Sequence, residues 1–388
     1  MRIFMLVSRV PWPLEKGDKL RAYHQLKHLA RHHEVYLCCL SDGKIHPDAL
    51  NQLKTITPHV SIIRLNRLLI LWRLLLALFS SKPFQVNYFF ERRASRMVNR
   101  MISEFKPDHI YCQLIRTSEY VKNLHHIRKT IDFMDALSAG LQRRAAGASF
   151  LMKFFVVEEA RRLRNYEHLI FDYFDHHTII SEQDQQLILH PERNKIVIVP
   201  NGIDTTFFAK RNTSEAKFDL VFTGNMSYPP NVDCALRIAR EIMPKLLLKR
   251  PGVRLLIAGA NPIQVVRQLR SPAIEVTGWM DDIRDAYGNA RIFIAPMRTG
   301  SGLQNKLLEA MAMELPCITS TLVAGAMRAE NRKHLIIEDD NDRIVGQILA
   351  LLDDPSLAGQ LARAGKDFVT TVFHWESTTS RLEKLLGQ

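Results

Sequence analysis

The sequence has little cysteine and none of it is arranged for chemistry. Its five cysteines, Cys38, Cys39, Cys112, Cys234 and Cys317, form no Cys-x-x-Cys pair and have no histidines at zinc-finger spacing. A disulfide framework and a structural zinc finger are therefore excluded, and a reducing cytoplasm is the expected compartment. Long apolar runs are also scarce. The longest, Leu68–Phe79, has 12 residues, about 18 Å as a helix against a hydrocarbon core of about 30 Å, so it is not expected to span a membrane. The first residues, Met1–Val7, lack the charged region, apolar run and cleavage site of a signal peptide and read as a buried strand. No internal repeat, low-complexity tract, G-x-S-x-G elbow or nucleic-acid-binding signature is found.

What is present is an ordinary globular composition, 46% hydrophobic and 24% charged with 17 Gly and 17 Pro, in a chain long enough for two domains. The net charge of +13 is uneven. Residues 1–200 carry 30 basic against 19 acidic side chains, and the remainder 23 against 21. A basic first half points to a polyanionic neighbour: an anionic membrane surface, a phosphate-bearing substrate or, least favoured here, nucleic acid.

Short β-rich runs alternate with helical stretches throughout, and the strands are too apolar to be half-exposed. This rhythm predicts an α/β protein with two Rossmann-like domains, each a parallel sheet covered on both faces. The breaker cluster Pro200-Asn201-Gly202 and the polar stretch Lys210–Lys217 set the boundary. The expected domains are 1–200, 201–373, and a helix at 374–388 returning to the first domain. Two such domains would face each other across a cleft, with ligands bound at the loops that follow the strands.

The strongest constellation is Pro296–Met313 (PMRTGSGLQNKLLEAMAM). A strand end, a loop with two glycines and a helix start make a site for an anion. Lys306 and Glu309, three residues apart, share one helix face and offer a cation for a diphosphate and an acceptor for ribose hydroxyls. The same spacing also fits a plain solvent-exposed pair. Gly224 and Asn225 follow a strand, where glycine permits close backbone approach; a turn with an Asn cap is the equal alternative. Trp279 and Met280 follow another strand and could frame a nucleotide base or simply pack.

The runs Asn305–Met313 (NKLLEAMAM), Val199–Asp204 (VPNGID) and Phe222–Asn231 (FTGNMSYPPN) resemble glycosyltransferase family 4 of the GT-B fold. The subgroup most similar is the sugar transferases of PEP-CTERM/exosortase exopolysaccharide systems, with Lys16–Arg21 (KGDKLR) and Ile131–Ser138 (IDFMDALS) extending the match. The resemblance implies transfer of a sugar from a nucleotide diphosphate donor, with retention of configuration and no metal or other cofactor. The acceptor would be lipid-linked or a polysaccharide. It implies Lys306 as the cation at the leaving diphosphate, Arg298 as a second, and Glu309 on the ribose. Where the family more often has a first glutamate this chain has Ser301, leaving Ser301, Gly302, Leu303 and Gln304 to contact the donor sugar. The family's usual Arg and Lys pair after Gly224-Asn225 is also missing. In the first domain Gly17 would face the donor phosphates, with Lys16, Asp18 and Arg21 toward the acceptor. Asp135 would be a catalytic acid group, or an ordinary helix cap.

Asp340-Asn341-Asp342 reads as a helix start and not as a metal-binding DxD. The histidines, thirteen of fifteen in the first domain, are assigned no metal site, none standing at His-x3-His spacing with a suitable carboxylate. Leu68–Phe79, flanked by Arg64, Arg67 and Lys82, is either a core helix or a membrane-facing patch. The membrane reading puts the protein on the cytoplasmic face of the cell membrane. Two other functions fit the residues less well: a nucleotide-sugar 2-epimerase of the same fold, and a non-enzymatic basic protein bound to membrane surfaces.

Overall fold

The computed structural model describes residues 1–14, 16–145, 150–209, 216–300 and 302–387. Contacts divide the chain into two units, Met1–Asn201 with Trp375–Gln388, and Gly202–His374. Each is built on one all-parallel sheet.

In the first unit the strands are β1 (Arg2–Val7), β2 (Glu34–Ser41), β3 (His59–Arg64), β4 (His109–Gln113), β5 (Arg128–Asp132), β6 (His176–Ile179) and β7 (Val197–Ile198), in the order 3-2-1-4-5-6-7. Both faces are covered, as the unbroken apolarity of β1 requires. Phe4 and Leu6 enter one core cluster, and Ile3, Met5 and Val7 the other. Strand β4 has no counterpart in the rhythm read from the sequence. Its residues, HIYCQ, mix polar with apolar, yet all five are buried because it lies between β1 and β5.

The second unit holds β8 (Phe218–Thr223), β9 (Leu255–Ala258), β10 (Ile274–Val276), β11 (Ala290–Ala295), β12 (Cys317–Thr319) and β13 (Ile336–Ile337), in the order 10-9-8-11-12-13. The helical stretch after β8 is continuous but not uniform: Pro229–Arg237 passes through a π segment, Ile238–Ile242, into Met243–Lys249. Pro244 has no N–H to return to the preceding turn, which accounts for the altered winding. The helix Trp375–Leu386 belongs to the first unit, where Leu382 and Leu386 share a core with Leu26 and Leu29 of the helix Gly17–His32.

Two readings of the sequence are corrected here. Arg21, expected at the acceptor, is wholly buried. Its Nε and Nη2 donate to Asp132 Oδ2 and Oδ1 at 2.6 and 3.1 Å, and Nη1 donates to the Val199 carbonyl at 2.8 Å and to Asn201 Oδ1 at 3.1 Å. Asp132 also accepts from Tyr111 at 2.9 Å and Thr178 at 3.0 Å. The guanidinium is thus a structural partner of a buried carboxylate at the end of β5, and is not available to a ligand. The core-helix alternative for Leu68–Phe79 also fails. In the helix Arg67–Ala77 only Ile70 and Ala77 are buried. Leu68 is 77% exposed, Trp72 60% and Phe79 92%, while Arg73 turns inward, 3.5 Å from Glu91.

Replacing Arg21 by Met should leave the Asp132 carboxylate buried without its charge partner and cost about 3 to 5 kcal/mol in urea unfolding. A loss below about 1 kcal/mol would show the pair to be dispensable.

Candidate functional site

The residues that could bind an anion gather in the second unit, where β8 and β11 lie side by side. After β11 a loop containing Gly300 and Gly302 leads to the helix Asn305–Ala312. Gly300 and Gly302 have φ of +102° and +76°, left-handed values that side chains other than glycine rarely adopt. Ser301 lies outside the described residues.

Lys306 extends from the first turn of that helix beneath the loop. Its ammonium donates to Asn231 Oδ1, lies 3.9 Å from Met297 Sδ and stands 5.1 Å from the centre of the Phe222 ring. Burial brings its pKa down to about 8, with Cys234 and Glu309 opposing that shift. With no carboxylate in hydrogen-bonding contact among the described residues, this cation is incompletely compensated and so is suited to an anionic ligand.

Glu309, one turn further on, is fixed by a chain of hydroxyls. Tyr287 Oη lies 2.7 Å from Glu309 Oε2 and 2.8 Å from Thr223 Oγ1. The phenol has one proton, so with Tyr287 donating to Glu309, Thr223 donates to Tyr287. Among the described residues Oε1 of Glu309 accepts nothing, leaving one oxygen for a ligand. Burial raises the Glu309 pKa, while Tyr287 and Lys306 favour its ionised form.

The floor of the site is held by two glycines. A Cβ on Gly259, where φ is +136°, would lie 1.9 Å from the Gly224 carbonyl, and one on Gly224 would lie 2.7 Å from Asn231 Nδ2. Close approach of the loops after β8 and β9 therefore requires Gly259, while Gly224 leaves room for the Asn231 side chain. Asn225 takes the turn role: its Oδ1 accepts from the Ser227 amide at 3.0 Å and hydroxyl at 2.8 Å.

The other expected residues are distributed as follows. Arg298 is paired at 2.8 and 2.6 Å with both oxygens of Glu241, so this charge is already compensated. Gln304 caps the Lys306 helix by its backbone, and Leu303 packs partly on the core. Trp279 is exposed, whereas Met280 packs against the core. In the first unit Lys16 and Gly17 are exposed at the start of Gly17–His32. A Cβ on Gly17 would meet nothing within 4 Å, so packing does not demand glycine there. Asp18 is paired with Arg9 at 2.5 Å, and Asp135 is exposed beyond β5.

Asp340 accepts from the amides of Asp342 and Arg343, and Asp342 pairs with Lys245, so that stretch is a capped helix start. Among the described residues the group able to hold a metal is His28, His32 and Glu383, which belongs to the first unit, whereas Lys306 and Glu309 belong to the second. Reading the sequence missed Asn231, Tyr287, Thr223 and Gly259. Asn231 closes the run FTGNMSYPPN and was within reach; Tyr287 lies on a short helix with no local signal.

Residues 217–354, the segment that contains Lys306, Glu309, Asn231 and Tyr287, match the family model "Glycosyl transferases group 1". A GDP-mannose-dependent monoacylated alpha-(1-6)-phosphatidylinositol monomannoside mannosyltransferase of Corynebacterium glutamicum is 26% identical over 209 residues, 48% of this chain and 55% of that protein. The chain thus spans about half the length of this relative. Solved structures match end to end. Sucrose-phosphate synthase from Thermosynechococcus elongatus superimposes with a TM-score of 0.70 over 99% of this chain and 98% of its own, at 15% identity. Anabaena HepE in complex with UDP gives 0.68 over 100% of both chains, at 12% identity. The fold is GT-B.

The lowered pKa of Lys306 has a measurable consequence. Affinity for pyrophosphate or a nucleoside diphosphate should fall as pH rises through about 8, where an exposed lysine would stay charged to about 10. Calorimetric titration checks this, and Lys306→Met should remove both the affinity and its pH dependence.

Proposed function

We propose that this chain is a glycosyltransferase that moves a sugar, with retention of configuration, from a nucleoside diphosphate sugar to a lipid-linked or polysaccharide acceptor. The observation that carries the proposal is the pair Lys306 and Glu309: an undercompensated ammonium and a half-occupied carboxylate on one helix face, behind a two-glycine loop. The leaving nucleoside diphosphate gains negative charge as the glycosidic bond breaks, and a fixed ammonium stabilises that charge more than it stabilises the ground state. Glu309 Oε1 accepts from a ribose hydroxyl. Its position is held by Tyr287, so nucleotide and diphosphate are placed together. Two of the similar proteins support this reading: the Corynebacterium mannosyltransferase is GDP-mannose-dependent, and HepE was solved in complex with UDP.

Transfer in this proposal uses the lysine and the helix start in place of a metal ion at the diphosphate. The exopolysaccharide role rests on the resemblance of the first-domain motifs. Activity toward a panel of UDP-, GDP- and ADP-sugars tests the assignment. Lys306→Ala should lower turnover of the accepted donor by about two orders of magnitude or more, the usual effect of removing an electrostatic stabiliser. Wild-type turnover in that variant would remove Lys306 from the mechanism.

The acceptor side of the proposal rests on the surface of the first unit. No helix among the described residues is long and apolar enough to cross a membrane. Yet Leu68, Leu71, Trp72, Leu75, Leu76 and Phe79 face outward together. Arg162, in the helix Phe150–Phe171, donates to the Ala77 carbonyl at 2.6 Å, and the same helix exposes Phe154 and Phe155. Arg64, Arg67 and Lys153 lie exposed near these residues in sequence. An apolar face this size, edged by cations, suits the interface of an anionic bilayer, each cation adding about 1 kcal/mol. The protein would then work from the inner membrane surface on a lipid-borne acceptor. The chain should co-sediment with anionic vesicles more than with neutral ones, and less at high salt. Leu71→Ser with Leu75→Ser should abolish sedimentation at an unchanged melting temperature. Equal binding to both lipids would count against the surface.

A further inference from the structure

Three histidines and a glutamate meet on the first unit, outside the site described above. The helix Gly17–His32 carries histidine at 24, 28 and 32, so His-x3-His spacing does occur; the carboxylate that meets them is that of Glu383, 355 residues beyond His28. Residues four apart share one helix face, which points His28 and His32 the same way. The helix Trp375–Leu386 lies against that face. His28 Nε2 is 2.9 Å from Glu383 Oε2, His32 Nδ1 is 3.0 Å from Oε1, and His33 Nε2 is 2.9 Å from the same oxygen. Ligand atoms of His28, His32 and Glu383 all lie within 4.8 Å of one another.

We propose that His28, His32 and Glu383 bind a zinc-class divalent cation, with water or His33 completing the coordination. Two imidazoles and a carboxylate are a donor set that zinc takes readily, and a tetrahedral ion about 2.0 to 2.1 Å from each ligand fits among atoms this close. Rotation of the carboxylate is the adjustment needed. His28 and His32 hydrogen-bond the carboxylate, whereas among the described residues the buried His33 Nε2, 2.9 Å from Oε1, has no hydrogen-bond partner. A cation would use the lone pair of such a nitrogen.

The surroundings hold the ligands in place before any ion arrives. Trp375 stacks on His24 with ring centres 4.6 Å apart and planes 7° from parallel, and Arg31 pairs with Glu376 at 2.6 Å. Leu382 and Leu386 are buried in the shared core. One side chain of the site, His28, is buried and another, His32, is exposed, so the ion has both a fixed anchor and an entry path. Bound there it would staple the C-terminal helix to the first helix. Lys306 and Glu309 belong to the other unit, and this inference stands independently of the transferase proposal.

The test uses the full chain without an affinity tag, stripped with EDTA and dialysed. Titration with zinc chloride should show one ion per chain with a Kd of about 1 µM or tighter. The melting temperature should rise by about 3 °C or more at saturating zinc, and cobalt should give the visible absorption of a four-coordinate site. His32→Ala and Glu383→Gln should each weaken binding by about tenfold or more while keeping the helical circular dichroism of the parent. His32 is exposed, so that variant folds. No uptake by the parent, or undiminished affinity in the double variant, would overturn the site.

Discussion

The Asp132 carboxylate ends a central strand where no water reaches it, and the first unit is arranged around that charge. Arg21 reaches it from the first helix, Tyr111 and Thr178 from the two neighbouring strands, and Arg21 carries the network on to Val199 and Asn201. A buried ion pair of this kind repays its desolvation only with good geometry and further hydrogen bonds. The requirement fixes how the helix Gly17–His32 lies on the sheet, and therefore which of its faces meets the returning C-terminal helix. The histidine cluster depends on that placement.

The second unit treats charge differently at the matching place, beyond the ends of its central strands. There the cation is met by an amide oxygen, a thioether and an aromatic face, and the carboxylate by one phenol. Nothing closes the circuit between them as Arg21 and Asp132 close theirs. Incomplete compensation costs stability and leaves electrostatic capacity for a ligand, which is how sites differ from cores built of the same residue types. The glycines belong to the same device: Gly259 lets the Gly224 carbonyl come where a side chain would stand, Gly224 leaves room for the Asn231 amide, and Gly300 and Gly302 take left-handed backbone.

Much of the fold was legible because the sheets are covered on both faces, which writes strands such as β1 and β9 as nearly continuous apolar runs. Strand β4 was not, since HIYCQ has neither alternation nor a pure apolar run, and its burial follows from its neighbours. Lys306 and Glu309 were legible through spacing on one helix. Arg21 was misplaced because a basic residue near a glycine looks the same in sequence whether it faces a phosphate or a buried aspartate. Leu68–Phe79 was ambiguous for a similar reason: a helix apolar all round is written alike for a core and for a membrane surface. The difference was made by burial: of its apolar residues only Ile70 and Ala77 are buried, while Arg73 turns toward Glu91.

The sequence by itself determined the two parallel sheets, the glycine loop and the placing of a lysine and a glutamate one turn apart on one helix, because each follows from local periodicity and backbone conformation. Only the tertiary structure decided which charges are spent and which are open. Arg298 is closed by Glu241, Arg21 by Asp132, and Lys306 is left with neutral partners. It also supplied Glu383 to His28 and His32. Compensation of a charge depends on groups hundreds of residues away, and that proximity is set by packing, which no local pattern encodes.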